Sequence, residues 1–289
     1  RTPPTVPTDG RRGGPESASQ AAHSPCPKAT PSTPWRPRCG GSRSAGAFST
    51  VAPEPSQVLT ADPVIGEDIS QVFDFLKYNY RRPDYQELLV SPHTTREGLI
   101  ALIEAEIENA RNGFRAQLFL KCNNLVDRQL TLKLYEASQA GVEIKLIIRG
   151  MCSLLPGLAG ISENIRAISI IDRYLEHPRV YVAYNRGNPK YLMGSADLMT
   201  RNIDYRVEVL CPIHDPAAQR MLQDILDQQW NDNVKARVID SGQANKMVSS
   251  VGKATSVRSQ ETIHRYIETG KLPRMPQSDI RKPSVRRKK

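Results

Sequence analysis

Between residues 88 and 148, apolar runs of strand length alternate with stretches of helical period, and this alternation limits the fold more than any other feature of the chain. Leu88-Leu89-Val90-Ser91-Pro92 reads as a first strand. Thr94-x-x-Glu97 has the form of a capping box and opens a helix carrying Leu99, Ile100, Ile103, Ile107 and Ala110 at helical spacing, with Gly113 as its stop. Gln117 to Lys121 reads as a strand, Val126 to Ala140 as a helix closed by Gly141, and Val142 to Ile148 as a β-rich run ending at Arg149. Such a βαβαβ order predicts a layered α/β domain with a mixed, largely parallel sheet flanked by helices. Later strands near 167–171, 179–183, 191–195 and 206–211 are closer together and add antiparallel pairs. Asp215 caps a helix running to about Asn231, Val234 to Ile239 returns as a strand, and 256–268 form a last helix. Ahead of the first strand, Ile65 to Lys77 predicts a short helix with Ile69, Val72, Phe73 and Leu76 on its apolar side.

Charge is distributed unevenly around this body. Residues 1–57 hold seven Lys/Arg against three Asp/Glu and eleven of the 22 prolines, with almost no periodic apolar pattern. Residues 270–289 hold eight Lys/Arg against the single acid Asp279. Together these flanks exceed the whole chain's net charge of +10, so the part between them is close to neutral. Both flanks bury too little surface to offset chain entropy and are expected to be disordered. A nearly neutral fold with basic tails argues against specific nucleic-acid binding. The five cysteines (Cys26, Cys39, Cys122, Cys152, Cys211) form no CxxC pair and have no His at zinc spacing. Cys122, Cys152 and Cys211 sit beside apolar strand residues and are expected as small buried hydrophobes. An odd count with no secretory signal predicts a cytoplasmic location, with peripheral membrane association left open. No run of 18 apolar residues is present.

The chemistry-bearing residues concentrate in two stretches. Ile170 to Tyr181 puts Arg173 and His177 at the mouth of an apolar strand, and Gly194 to Asp204 then delivers Ser195, Asp197, Arg201 and Asn202 within eight residues. Arg forks, neutral Ser and Asn donors and a histidine that titrates near neutrality are the groups that gather around a phosphate. A core histidine with surface Arg and Asp residues would give the same pattern. Arg149 ends the most apolar strand, where α/β sheets place ligands, although a surface Arg often closes a strand. Asn123, Asn124 and Asp127 read as turn and helix-capping residues. The other histidines (His23, His93, His214, His264) read as surface residues.

From about Leu59 to about Ile267 the chain resembles the C-terminal part of bacterial polyphosphate kinase, the type that works through a phosphohistidine. The resemblance is carried by Leu59-Thr60-Ala61-Asp62-Pro63, Asn123 to Asp127, Ile148 to Leu154, Arg173 to His177 and Ser195 to Asp204. That family has two C-terminal domains built like phospholipase D, and the resemblance implies that the second is complete here. It matches Arg149 to the arginine on the nucleotide phosphates, and His177 to a second histidine that contacts phosphate and moves a proton. Ser195, Asp197, Arg201 and Asn202 resemble part of the phospholipase D motif, and Arg173 is taken to join them. His177-Pro178-Arg179 departs from the usual His-x-Lys, which favours holding a phosphate chain over hydrolysing a phosphodiester.

The implied reaction is reversible transfer of the ATP γ-phosphoryl to a histidine and then to polyphosphate. Its implied partners are ATP or ADP, polyphosphate and further copies of the chain, with Mg²⁺ as cofactor and the metal-associated residues upstream. The family's His-Thr-Gly-Asn motif belongs just before Leu59, yet 49–58 lacks it. A mis-joined start is the expected cause, and the chain made as written is expected not to synthesise polyphosphate. The predicted organisation is 1–57 disordered, 58–86 the remnant of a preceding domain and linker, 87–241 the phospholipase D-like domain, 242–269 a C-terminal helix region and 270–289 a basic tail. The rival functions are a phospholipase D-like phosphodiesterase or nuclease, and a non-catalytic polyanion-binding fragment.

Overall fold

A computed structural model describes residues 58–248 and 256–271. The expectations for 1–57, and for 270–289 beyond Lys271, lie outside the described residues. The element order is α1 (Pro63–Lys77), β1 (Leu89–Ser91), α2 (Thr95–Arg111), β2 (Gln117–Cys122), α3 (Arg128–Gln139), β3 (Glu143–Ile148), β4 (Ile165–Ile170), β5 (Arg179–Ala183), β6 (Lys190–Gly194), β7 (Glu208–Pro212), α4 (Pro216–Trp230), β8 (Ala236–Ile239) and α5 (Ser259–Thr269). Every strand and helix expected within the described residues is present.

The eight strands form one sheet in the order β1-β7-β6-β5-β2-β3-β4-β8. It is mixed, as expected, but parallel pairing is confined to β2–β3 and β3–β4, and the other five pairs are antiparallel. The expectation of a largely parallel sheet is therefore corrected. Parallel neighbours need a crossover of about a dozen residues, whereas residues 184–189 between β5 and β6 are enough only for reversal.

One sheet face is closed by α2 and α3. Leu99, Ile103 and Ile107 of α2 and Leu130 and Leu134 of α3 pack on Leu118, Leu120, Ile144, Leu146 and Ile148. On the other face Leu222 and Leu226 of α4 cover Phe119, Ile147, Ile168, Val180 and Val182. Helix α5 is docked beside α4 through the buried Asp232 carboxylate, which accepts from the Ser259 N–H and hydroxyl. Tyr266 of α5 also donates to Asp224 of α4.

Three local expectations change. Thr94 is the residue before α2, but its hydroxyl accepts from the Val90 N–H instead of capping the helix, so no capping box forms. In α1 only Val72 of the four expected core positions is buried, and Phe73 and Leu76 are 66% and 58% exposed. The helix is rotated to bury Ile65, Asp68 and Val72, because Asp68 accepts from the N–H groups of Gln86, Glu87 and Leu88. Those donors would otherwise be orphaned, which outweighs the exposure of Ile69, Phe73 and Leu76. Finally, of the three cysteines expected to be buried, Cys122 is, while Cys152 and Cys211 are only half-buried.

Candidate functional site

The carboxyl ends of β2 and β3 and the start of β5 share one edge, because β5 runs antiparallel to β2 with Lys121 opposite Val180. The end of β6 joins them, since Gly194 lies opposite Arg179. This edge collects Asn123 and Asn124 after β2, Arg149 after β3, His177 and Arg179 at β5, and Ser195 and Asp197 after β6. Two glycines make it possible. A Cβ at Gly194 would lie 1.8 Å from the Val209 carbonyl oxygen, and one at Gly150 would lie 2.6 Å from Asn124 Oδ1. At Gly194 two backbones approach too closely for any side chain, whereas at Gly150 the space is taken by the Asn124 side chain with the Asn123 carbonyl oxygen 3.0 Å away.

Asp197 is the hub of the edge. It is buried and accepts from Arg179 Nε at 3.2 Å and Nη2 at 3.1 Å, from the Asn123 N–H at 2.8 Å and from the Asn124 N–H at 3.3 Å. Burial alone would raise its pKa; the Arg179 fork and the two backbone donors outweigh burial and hold the carboxyl below the usual range. Arg179 also donates from Nη1 to His177 Nδ1 at 2.9 Å and to the His177 carbonyl at 3.0 Å. A guanidinium has only donors, so Nδ1 is an acceptor here and a neutral ring carries its proton on Nε2. Partial burial, then Arg179 and Arg149, push the His177 pKa below its ordinary value. The imidazole is thus exposed, neutral at neutral pH and within electrostatic reach of Arg149.

The segment bearing His177 is anchored from beneath. Buried Glu176 accepts from Lys121 Nζ at 2.9 Å, from Gln229 of α4 at 2.9 Å and from Gln260 of α5 at 3.0 Å. Gln260 also bonds both the N–H and the carbonyl of Tyr174, and Arg258 forks onto Asp172. None of Lys121, Glu176, Gln229 and Gln260 was foreseen. The available signal was Lys121, a charge inside the apolar strand Leu118 to Cys122, which implies a buried partner.

The remaining expected site residues have surroundings of their own. Arg173 is exposed with its guanidinium 5.3 Å from the Tyr174 ring centroid. Arg201 and Asn202 lie in a π-type turn, Arg201 exposed and Asn202 buried, with its amide donating to Glu208 at 2.6 Å. Ser195 is exposed, and its hydroxyl accepts from the Val209 N–H at 3.2 Å. Asp127 caps α3 and accepts both nitrogens of the Arg96 fork, which also grips Asp204. Asn124 binds the Met151 N–H, so the turn and capping roles expected for these residues are present. Contrary to expectation, His93 is not a free surface residue: it packs against Phe75 at 4.4 Å and Tyr85 at 6.0 Å between ring centroids.

Residues 88–260 match the family model described as polyphosphate kinase C-terminal domain 2. The chain belongs to the polyphosphate kinase family. The polyphosphate kinase of Vibrio parahaemolyticus is 46% identical over 224 residues, 77% of this chain and 32% of that protein. That of Escherichia coli K12 is 47% identical over 216 residues, 75% of this chain and 31% of that protein. The crystal structure of polyphosphate kinase from Porphyromonas gingivalis superposes with a TM-score of 0.69 at 40% identity, covering 72% of this chain and 32% of that one. The chain therefore spans about a third of the length of the polyphosphate kinases it matches. Among the described residues no helix is long and apolar enough to cross a membrane.

Proposed function

We propose that this chain supplies the nucleotide-phosphate end of a polyphosphate kinase, with Arg149 binding phosphate oxygens and His177 moving a proton. The observation that carries this reading is the placement of exposed His177, its pKa pushed down by partial burial, Arg179 and Arg149, at the edge where β2, β3 and β6 end and β5 begins. Two arginines raise the positive potential there, and a phosphate brought against the ring offsets them and increases its proton affinity. A protonated His177 then donates to the oxygen that ADP keeps as the γ-phosphoryl leaves, and takes the proton back in the reverse direction. Ser195 and Arg201, both exposed, are available to the same phosphate chain. Asp197 and Asn202 act through neighbours: Asp197 fixes Arg179, and Asn202 holds Glu208. Arg173 is retained as an outer contact.

The partners under this reading are ATP or ADP and polyphosphate, with homo-oligomers formed by the longer protein. For Mg²⁺ the residues described do not fit a protein-held site. No three His, Cys, Asp or Glu side chains among them come together as ligands, and Asp197 and Glu208 are engaged by Arg179 and Asn202. The phosphoryl-accepting histidine belongs to sequence this chain does not contain, so the complete transfer needs the longer protein.

The test has two parts. In this chain alone, the His177 resonance is expected to titrate below 6.5 and to move upward when tripolyphosphate is added. In a version carrying its upstream part, Arg149→Ala is expected to weaken ATP binding by about 1.5–3 kcal/mol per lost charge-assisted bond. Arg149→Lys should rescue this only partly, because an ammonium lacks the planar fork. His177→Ala is expected to lower turnover with ATP affinity nearly kept. Full activity in both alanine variants would refute the assignment.

A further inference from the structure

The opposite halves of β2 and β3 border a groove of about 780 Å³ under α4, on the far side of the sheet from α2 and α3. Its size falls in the range of small-molecule sites, roughly 300–1,000 Å³. One wall is aromatic: the Phe119 and Trp230 rings meet edge to face at 5.6 Å, with Tyr184 and Tyr191 beside them. Lys145 rises between the first two rings, its ammonium 5.8 Å from Phe119 and 5.6 Å from Trp230. It is half-buried, and among the described residues it makes no ion pair or hydrogen bond. Arg115 lies over Tyr184 at 4.8 Å, and Arg166 stands 6.0 Å from Trp230 while pairing with Glu143.

An ammonium without an acceptor, set among rings, is an incomplete arrangement. Desolvation lowers its pKa by more than the attraction of Glu143 and Asp227 raises it, so the cation is held at a cost until an anion bonds to it. The aromatic wall asks for a planar ring, since bases stack on such side chains with little regard to identity. Of the amides lining the groove, Gln223 is paired with Tyr191 and Asp227, while Asn231 donates to the Asp227 carbonyl and keeps its oxygen for a donor on a ring edge. Glu143 and Asp227 also line it, which disfavours a long polyanion and leaves room for a small anionic group near Lys145.

We propose that this groove is a second ligand site that takes a nucleoside mono- or diphosphate, with the base on the Phe119–Trp230 wall and the phosphate at Lys145 and Arg166. It shares no lining residue with the Arg149–His177 edge, and it stands or falls separately from the function proposed for that edge.

Trp230 reports on the groove directly. The chain has two tryptophans, so Trp35→Phe leaves Trp230 as the single emitter. AMP and ADP titrated without metal into this background are expected to change Trp230 emission saturably, with half-saturation below about 1 mM. Lys145→Met, similar in length, should weaken this at least about tenfold, while Arg149→Ala leaves it unchanged. Tripolyphosphate, which has no base, should compete poorly. If Lys145→Met lowered the melting temperature, Arg166→Gln on the exposed rim would give the same test with a smaller loss. No saturable response, equal affinity in Lys145→Met, equal competition by tripolyphosphate, or a response abolished by Arg149→Ala would each overturn the proposal.

Discussion

The two ends of β2 and β3 handle charge in opposite ways. At their carboxyl ends Arg179, Asp197 and the Asn123 and Asn124 amides form a closed network with His177 laid against it. At the other ends Lys145 stands among aromatic rings without an acceptor. The same strands thus carry a rigid, self-satisfied platform at one end and an unmatched cation at the other. A satisfied buried network specifies one geometry, whereas an unmatched charge is a standing demand for a ligand.

The sharpest way to break this contrast is to remove one partner at the closed end. Arg179→Ala leaves the buried Asp197 without its counter-charge and held only by the Asn123 and Asn124 donors, and is expected to cost about 3–5 kcal/mol of unfolding free energy, measured by urea titration. A loss under about 1 kcal/mol would mean that the network is no tighter than a surface pair. Midway between the two ends, Leu146→Ala opens a cavity in the face sealed by α2 and α3, and is expected to cost about 2–5 kcal/mol by the same measurement.

Acid should expose the closed end next. Asp197 and Asp127 have pKa values held below the ordinary carboxylate value, where arginine forks and backbone donors outweigh burial; at Asp172 the Arg258 fork dominates. A depressed folded pKa contributes stability that is complete above the unfolded value near 3.9 and is lost as pH falls through the folded values. These carboxylates should therefore leave the urea midpoint flat from about pH 7 to 5 and lower it below about pH 4. This comes on top of a shallower fall below about pH 6.5 from His177 and His93, whose folded pKa values lie below the ordinary histidine value. Arg179→Ala should reduce the carboxylate fall, and an unchanged pH profile in the variant would detach Asp197 from it.

The smallest effect belongs to the open end. Lys145→Met removes a charge that only the unbonded attraction of Glu143 and Asp227 offsets, and stability should change by no more than about 0.5 kcal/mol in the absence of ligand. A large loss would show that the cation–ring contacts are structural, and the contrast between the two ends would disappear.

Much of the fold is legible residue by residue. The strand–helix alternation of 88–148, the stops at Gly113 and Gly141, and Asp127 and Asp215 as caps are each written within a few neighbouring residues. The place of Arg149 just after its strand was also legible, while the roles of Arg149 and His177 belong to the proposed function. What sequence could not reveal is which distant groups meet. Lys121 finds Glu176 55 residues away, Tyr174 finds Gln260 86 away, and Arg179 turns its fork onto Asp197 instead of leaving it open. The rotation of α1 was decided likewise, by three backbone N–H groups 18 to 20 residues from Asp68. Periodicity and caps are local because helix and strand geometry repeats over a few residues. The pairing of buried charges is decided only when the packed sheet brings separate segments together, because only then must each lost water contact be replaced.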